Sequence, residues 1–282
     1  MSTNWLEDVL NKGLLELEEE KKNPNWFGIN VISNVPYISF PGFSEKECKE
    51  VQEQARNVLK ISRNENNYKE VAITYKRDNS TEKKDYYKIL GDYTSVPIMA
   101  DERTSKLINF SNNNHELVVI SIHNHPNNSR FSINDLLVFT ENPSIKLMEI
   151  VNKNGEVSFL FRPYELNLHN IVTRSITDNV PDFNDRKNLW KENNPDKYFK
   201  LSDLLNFKER TIIVSDVICE LLERGVCYCR YVNQEQAKNL TFDLKDSSQS
   251  YNEKIVKNIN NFSLSSEEDD YYENGEDGYE WM

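Results

Sequence analysis

The sequence predicts an α+β protein: a mixed β-sheet flanked by helices, with helical N- and C-terminal extensions. Three observations predict it. Apolar residues recur at helical spacing near both ends of the chain. Between about residues 63 and 165 the texture switches to β-rich runs: EVAITYK, DYYKILG, LVVISIH, IKLMEIV and EVSFLF. A short helical pattern from Ser132 to Glu141 interrupts those runs after the most apolar of them. The expected divisions are a helical extension over 1–62, a sheet domain over 63–165, a mostly helical region over 166–262 and an acidic tail over 263–282.

The elements follow in order. Leu6, Leu10, Leu14 and Leu17 make one helical stripe over residues 4–22, which Asn23-Pro24 breaks. An extended piece is expected from Gly28 to Ser33. Ser44 and Glu47 form a capping-box pattern that opens a helix through about Ile61. Two strands cover Glu70–Lys76 and Asp85–Gly91, and a polar loop runs on to residue 116. LVVISIH, at 117–123, is the near-continuous apolar run of a buried strand. Asn154-Gly155 between the next two strands makes a hairpin the natural connection. Helical patterns return over 164–178 and 201–224, although Thr211–Val214 also reads as a strand, and VCYCRYV closes the ordered part as a strand.

Composition narrows the function classes. The chain has 282 residues, 38% of them hydrophobic and 11% aromatic, enough for a real core and too apolar for global disorder. The mean hydropathy is −0.72. No apolar run reaches the ~18 residues of a membrane span, and the first residues lack a secretory pattern. A cytoplasmic protein with no membrane partner is expected. The net charge of −12 argues against a chain that grips nucleic-acid phosphates. Eight of those twelve charges lie in the last twenty residues, which carry no basic side chain. That tail reads as a solvated, disordered segment, or as an aromatic-studded peptide that docks a basic partner. Cys48, Cys219, Cys227 and Cys229 are too few for a disulfide scaffold and lack the paired spacing of a structural zinc site, so reduced thiols in apolar packing are expected.

One segment carries chemistry, ISIHNHPNNSRFSINDLLVF at 120–139. His123 and His125 end an apolar strand two residues apart, so both imidazoles leave the same face, about 6–7 Å apart along the chain. Pro126 cannot continue the hydrogen-bond ladder and turns the chain. Ser132 then caps a helix, and Asp135 in its first turn can swing back toward the strand end. Two imidazoles and one carboxylate leave a fourth position open, the layout of a catalytic rather than a structural zinc. Each part also has an ordinary reading, as strand histidines, an N-cap serine and a helix-start carboxylate.

Taken together, H-x-H-P after an apolar strand and S-x-x-D opening an apolar helix resemble the JAMM (MPN/JAB) zinc metallopeptidase family. The resemblance rests on His123, His125, Pro126, Ser132 and Asp135, over about 13 residues of a domain of about 100. It implies a sheet with flanking helices similar to cytidine deaminases. It also implies zinc held by His123, His125 and Asp135, oxyanion stabilisation by Ser132, and a glutamate on an earlier strand as general base. The step from His125 to Asp135 is ten residues, where many members have eleven. The shorter turn looks like bacterial and phage-encoded branches, not the eukaryotic deubiquitinases.

The glutamate is chosen among several. Glu116 stands seven residues before His123 in the same strand, on the opposite face and about 23 Å away. Glu65 and Glu82 sit in polar turns. Glu70 opens the strand EVAITYK, where the family carries its glutamate, and is the expected base, with Glu102 in reserve. The implied reaction is hydrolysis of a peptide or isopeptide amide in a protein or peptide substrate, a ubiquitin-like conjugate among them. A nucleobase deaminase would need a P-C-x-x-C ligand pair, which the sequence lacks. An HNH nuclease would need a different spacing and a basic surround. Two other classes stay open: an inactive interaction protein on the same fold, and a zinc hydrolase acting on a non-protein substrate such as a nucleotide. His115 is expected in an exposed loop and His169 as a packed helical histidine.

Overall fold

The computed structural model describes residues 29–77, 85–113, 118–126, 129–193 and 201–242. The expected helix over 4–22, His115, Glu82, Glu116 and the acidic tail lie outside the described residues.

Six strands form one mixed sheet in the order β2-β1-β3-β4-β5-β6. They are β1 (Val71–Lys76), β2 (Tyr86–Leu90), β3 (Val119–His125), β4 (Ile145–Asn152), β5 (Val157–Phe161) and β6 (Cys227–Val232). Every neighbouring pair is antiparallel except β3 and β4. A parallel pair needs a crossover, and the helix Ile133–Glu141 supplies it. The described helices are α1 (Ile29–Ser33), α2 (Glu45–Glu65), α3 (Glu102–Asn112), α4 (Ile133–Glu141), α5 (Ile171–Asn179), α6 (Phe183–Asn193), α7 (Phe207–Glu223) and α8 (Gln234–Lys238). The expected α+β class is what the chain adopts.

The sheet is covered on both faces, which explains why β3, β4 and β5 are buried almost throughout rather than on alternate residues. On one face α2 packs across β1, β3 and β4. Its buried positions Val51, Ala55, Val58 and Leu59 follow helical spacing. On the other face Ala72, Met148, Ile150 and Leu160 meet Leu136 and Phe139 of α4, Ile176 of α5 and Val217 of α7. Elements beyond residue 165 therefore share this core, and α2, mostly before residue 62, packs on the sheet's other face. In particular, β6 extends the sheet beyond β5.

Several local expectations are corrected. Residues 29–33 are helical, not extended, despite three β-branched side chains. α2 runs four residues past Ile61. The stretch read as a polar loop before β3 contains α3, capped by Asp101, whose side chain accepts from the Thr104 amide. Residues 211–214 lie inside α7. His169 is exposed and pairs with Glu141 instead of packing in a helix.

The Asn154-Gly155 turn forms the expected hairpin between β4 and β5. Gly155 has φ +80°, and a Cβ there would stand 2.4 Å from the Val31 carbonyl oxygen of α1. Gly155→Ala is therefore expected to lower unfolding free energy by about 1–3 kcal/mol, read as a lower denaturant midpoint. An unchanged midpoint contradicts the close approach of α1.

Candidate metal centre

The site forms where β3 ends and α4 begins, at the carboxyl edge of the parallel pair. Antiparallel pairing sets His123 opposite Ala72, and parallel pairing sets it beside Ile150. His123 and His125 thus leave the sheet on the core face, as the two-residue period requires. Ser132 caps α4 in a reciprocal arrangement: its Oγ accepts from the Asp135 amide, and its own amide donates to Asp135 Oδ2 at 2.7 Å. The capping box and the ligand position are one device, because the cap fixes the carboxylate that turns back to the histidines.

Three side chains converge. His123 Nε2 and His125 Nε2 are 3.1 Å apart. His123 Nε2 is 3.3 Å from Asp135 Oδ1, and His125 Nε2 is 3.6 Å from Asp135 Oδ2. A tetrahedral ion with bonds of about 2.0–2.1 Å spaces its donors about 3.3–3.4 Å apart; each histidine nitrogen stands near that distance from its partner histidine and from one of the two Asp135 oxygens, so the three side chains surround a place an ion could take. Among the described residues this is the group of His, Cys, Asp or Glu side chains that could hold a metal. The donor set suits a divalent cation and does not by itself select zinc.

Electrostatics prepare the donors. Burial pushes the His125 imidazole down to about 4, which leaves it neutral with a lone pair to give. Burial alone would raise the Asp135 carboxyl, but the charge and hydrogen bond of His123 outweigh it, with His125 and Ser132 adding to the effect. Asp135 is held well below the usual carboxylate range and stays ionised. The side chains of His123, His125 and Asp135 are 0%, 5% and 14% exposed, so the centre opens to solvent on the Asp135 side.

Ser129 was not evident from the sequence. Its Oγ lies 2.8 Å and its carbonyl oxygen 3.1 Å from His125 Nδ1. A proton on Nδ1 shared with Ser129 leaves Nε2 free for the ion, the usual outer contact of a ligating histidine. Only the general chemistry of the turn, not a spacing rule, could have suggested it.

The two candidate glutamates separate. Glu102 starts α3 on the surface, 80% exposed and ion-paired with Lys106 at 2.5 Å. Glu70 is 5% exposed. Continuing the β1–β3 register past Ala72 and His123 sets Glu70 across from His125, on the same face of the sheet. Glu65 ends α2 and pairs with Lys88. The cysteines are free and take no part in the centre.

Comparison with family models, with curated proteins and with solved structures finds no match. Among the described residues no helix is long and apolar enough to cross a membrane.

Proposed function

We propose that the chain is a zinc-dependent hydrolase of the JAMM type that cuts a peptide or isopeptide amide. The observation that carries the reading is the convergence of His123, His125 and Asp135 on one buried point, with Glu70 in register on the same face. A zinc ion held there supplies Lewis acidity that brings the pKa of water toward about 7. Glu70 accepts a proton from the attacking water and delivers it to the departing amine. The Ser132 hydroxyl, whose oxygen is already engaged by the Asp135 amide, donates its hydrogen to the oxyanion. Asp135 and the neutral His125 hold a net negative donor set against the charge of the ion.

The test joins metal content to cleavage. Purified protein is expected to carry about one zinc per chain. A proteome-derived peptide library, with isopeptide-linked peptides added, is expected to show new termini by mass spectrometry. Those termini should disappear after chelation and return with zinc. A metal-free protein that takes up no zinc, or cleavage that persists after chelation, overturns the proposal.

A further inference from the structure

We infer that Asn124, between the two ligand histidines, is a positioning residue that fixes Glu70 relative to the metal centre. The inference rests on the reading of Glu70 as the base. Asn124 points to the opposite face from His123 and His125 by the strand alternation, and it is fully buried. Its Oδ1 accepts from the Val71 amide at 2.8 Å, and its Nδ2 faces the Lys69 carbonyl oxygen at 3.4 Å. One amide side chain therefore grips the residues on both sides of Glu70. The same Nδ2 reaches Ser62 Oγ at 3.3 Å, and Ser62 Oγ donates to the Lys69 carbonyl at 2.6 Å.

The backbone of Glu70 is held from its other side as well. Its amide donates to the Asp92 carbonyl, and its carbonyl accepts from the Gly91 amide and from Asn66 Nδ2. The paired register of β1 and β3 ends at Ala72 opposite His123. Beyond that point the link from β3 to β1 is the Asn124 side chain in place of a backbone bond. That side chain therefore helps set the separation of the two strands where they carry His125 and Glu70. The ligands sit on β3 and α4, and Ser129 and the Ser132 cap hold His125 and Asp135, so metal binding is expected not to depend on the link.

The experiment uses the cobalt(II)-loaded full chain, whose visible spectrum reports acetohydroxamate at the metal. A hydroxamate chelates the ion and shares its proton with a neighbouring carboxylate, so its affinity reads the base without a known substrate. Glu70→Gln is expected to weaken acetohydroxamate by about tenfold or more, at unchanged cobalt affinity. Asn124→Val, a strand former without the hydrogen bonds, is expected to weaken it by a similar factor, also at unchanged cobalt affinity. Where Asn124→Val does not fold, Asn124→Ser carries the same expectation. Wild-type affinity in Asn124→Val overturns the positioning role while the base stands. An unaffected Glu70→Gln protein instead removes the base assignment, and this inference with it.

Discussion

A Glu70→Gln protein is expected to retain about one zinc per chain and to lose amide hydrolysis by about 10²–10⁴-fold. The substitution keeps shape and hydrogen-bonding reach but cannot accept a proton. Glu70 stands on β1 while all three donor atoms stand on β3 and α4, so no metal bond is lost. His123→Ala gives the contrasting result. It deletes one of three donors from a buried centre, so both metal and turnover should vanish. The pair of variants separates the two roles, because one signal falls alone in Glu70→Gln and both fall in His123→Ala. Full turnover in Glu70→Gln sends the base assignment elsewhere among the described residues. Loss of zinc in that variant instead makes Glu70 a ligand.

Why the centre was readable while much of its surroundings was not comes down to range. Both histidines follow from a two-residue period, and the Ser132–Asp135 cap follows from helix-start chemistry within four residues. These are local rules, and local rules are visible in letters. Glu70 was expected from its place at the start of a strand, but that it faces His125 follows only from the register of β1 against β3, set by contacts some fifty positions apart in sequence. α3 was missed for a different reason. Its buried face is Thr104, Ile108 and Ser111, helical in spacing but mostly polar, so no apolar stripe announces it. α1 carries a β-branched run whose propensity tertiary packing overrides. Asn124 was hidden because its partners lie more than fifty positions earlier, Ser62 in α2, Lys69 in the connection after it and Val71 in β1. The joining of β6 to β5 likewise depends on pairing that no short window encodes.

Replacing Glu149 should make the protein more stable, and more so as the pH rises. Glu149 lies mid-strand in β4, beside Ile122 of β3 and opposite Phe159 of β5, on the face covered by α2. It is 2% exposed, and burial pushes its carboxyl up to about 8. Tyr75 on β1 is raised chiefly by its own burial, with Glu50 and then Glu149 adding to it. An unfolded glutamate titrates near 4.3. Below that value both states are protonated and the residue has no effect. Between there and about 8 the unfolded chain has released a proton that the folded chain still holds. Stability must therefore fall with rising pH, by about 1.4 kcal/mol for each pH unit, and level off above the folded value. Glu149→Gln removes that slope, and Glu149→Met removes it while filling the apolar layer. Either is expected to gain about 2–4 kcal/mol over wild type at pH 7.5 and little at pH 4.5. Denaturant unfolding of variant and wild type across that range isolates the term, since His125 contributes an opposite slope, below about pH 6.5, that is common to both proteins. A difference that stays constant with pH means that Glu149 is ionised in the folded chain and is held by a counter-charge.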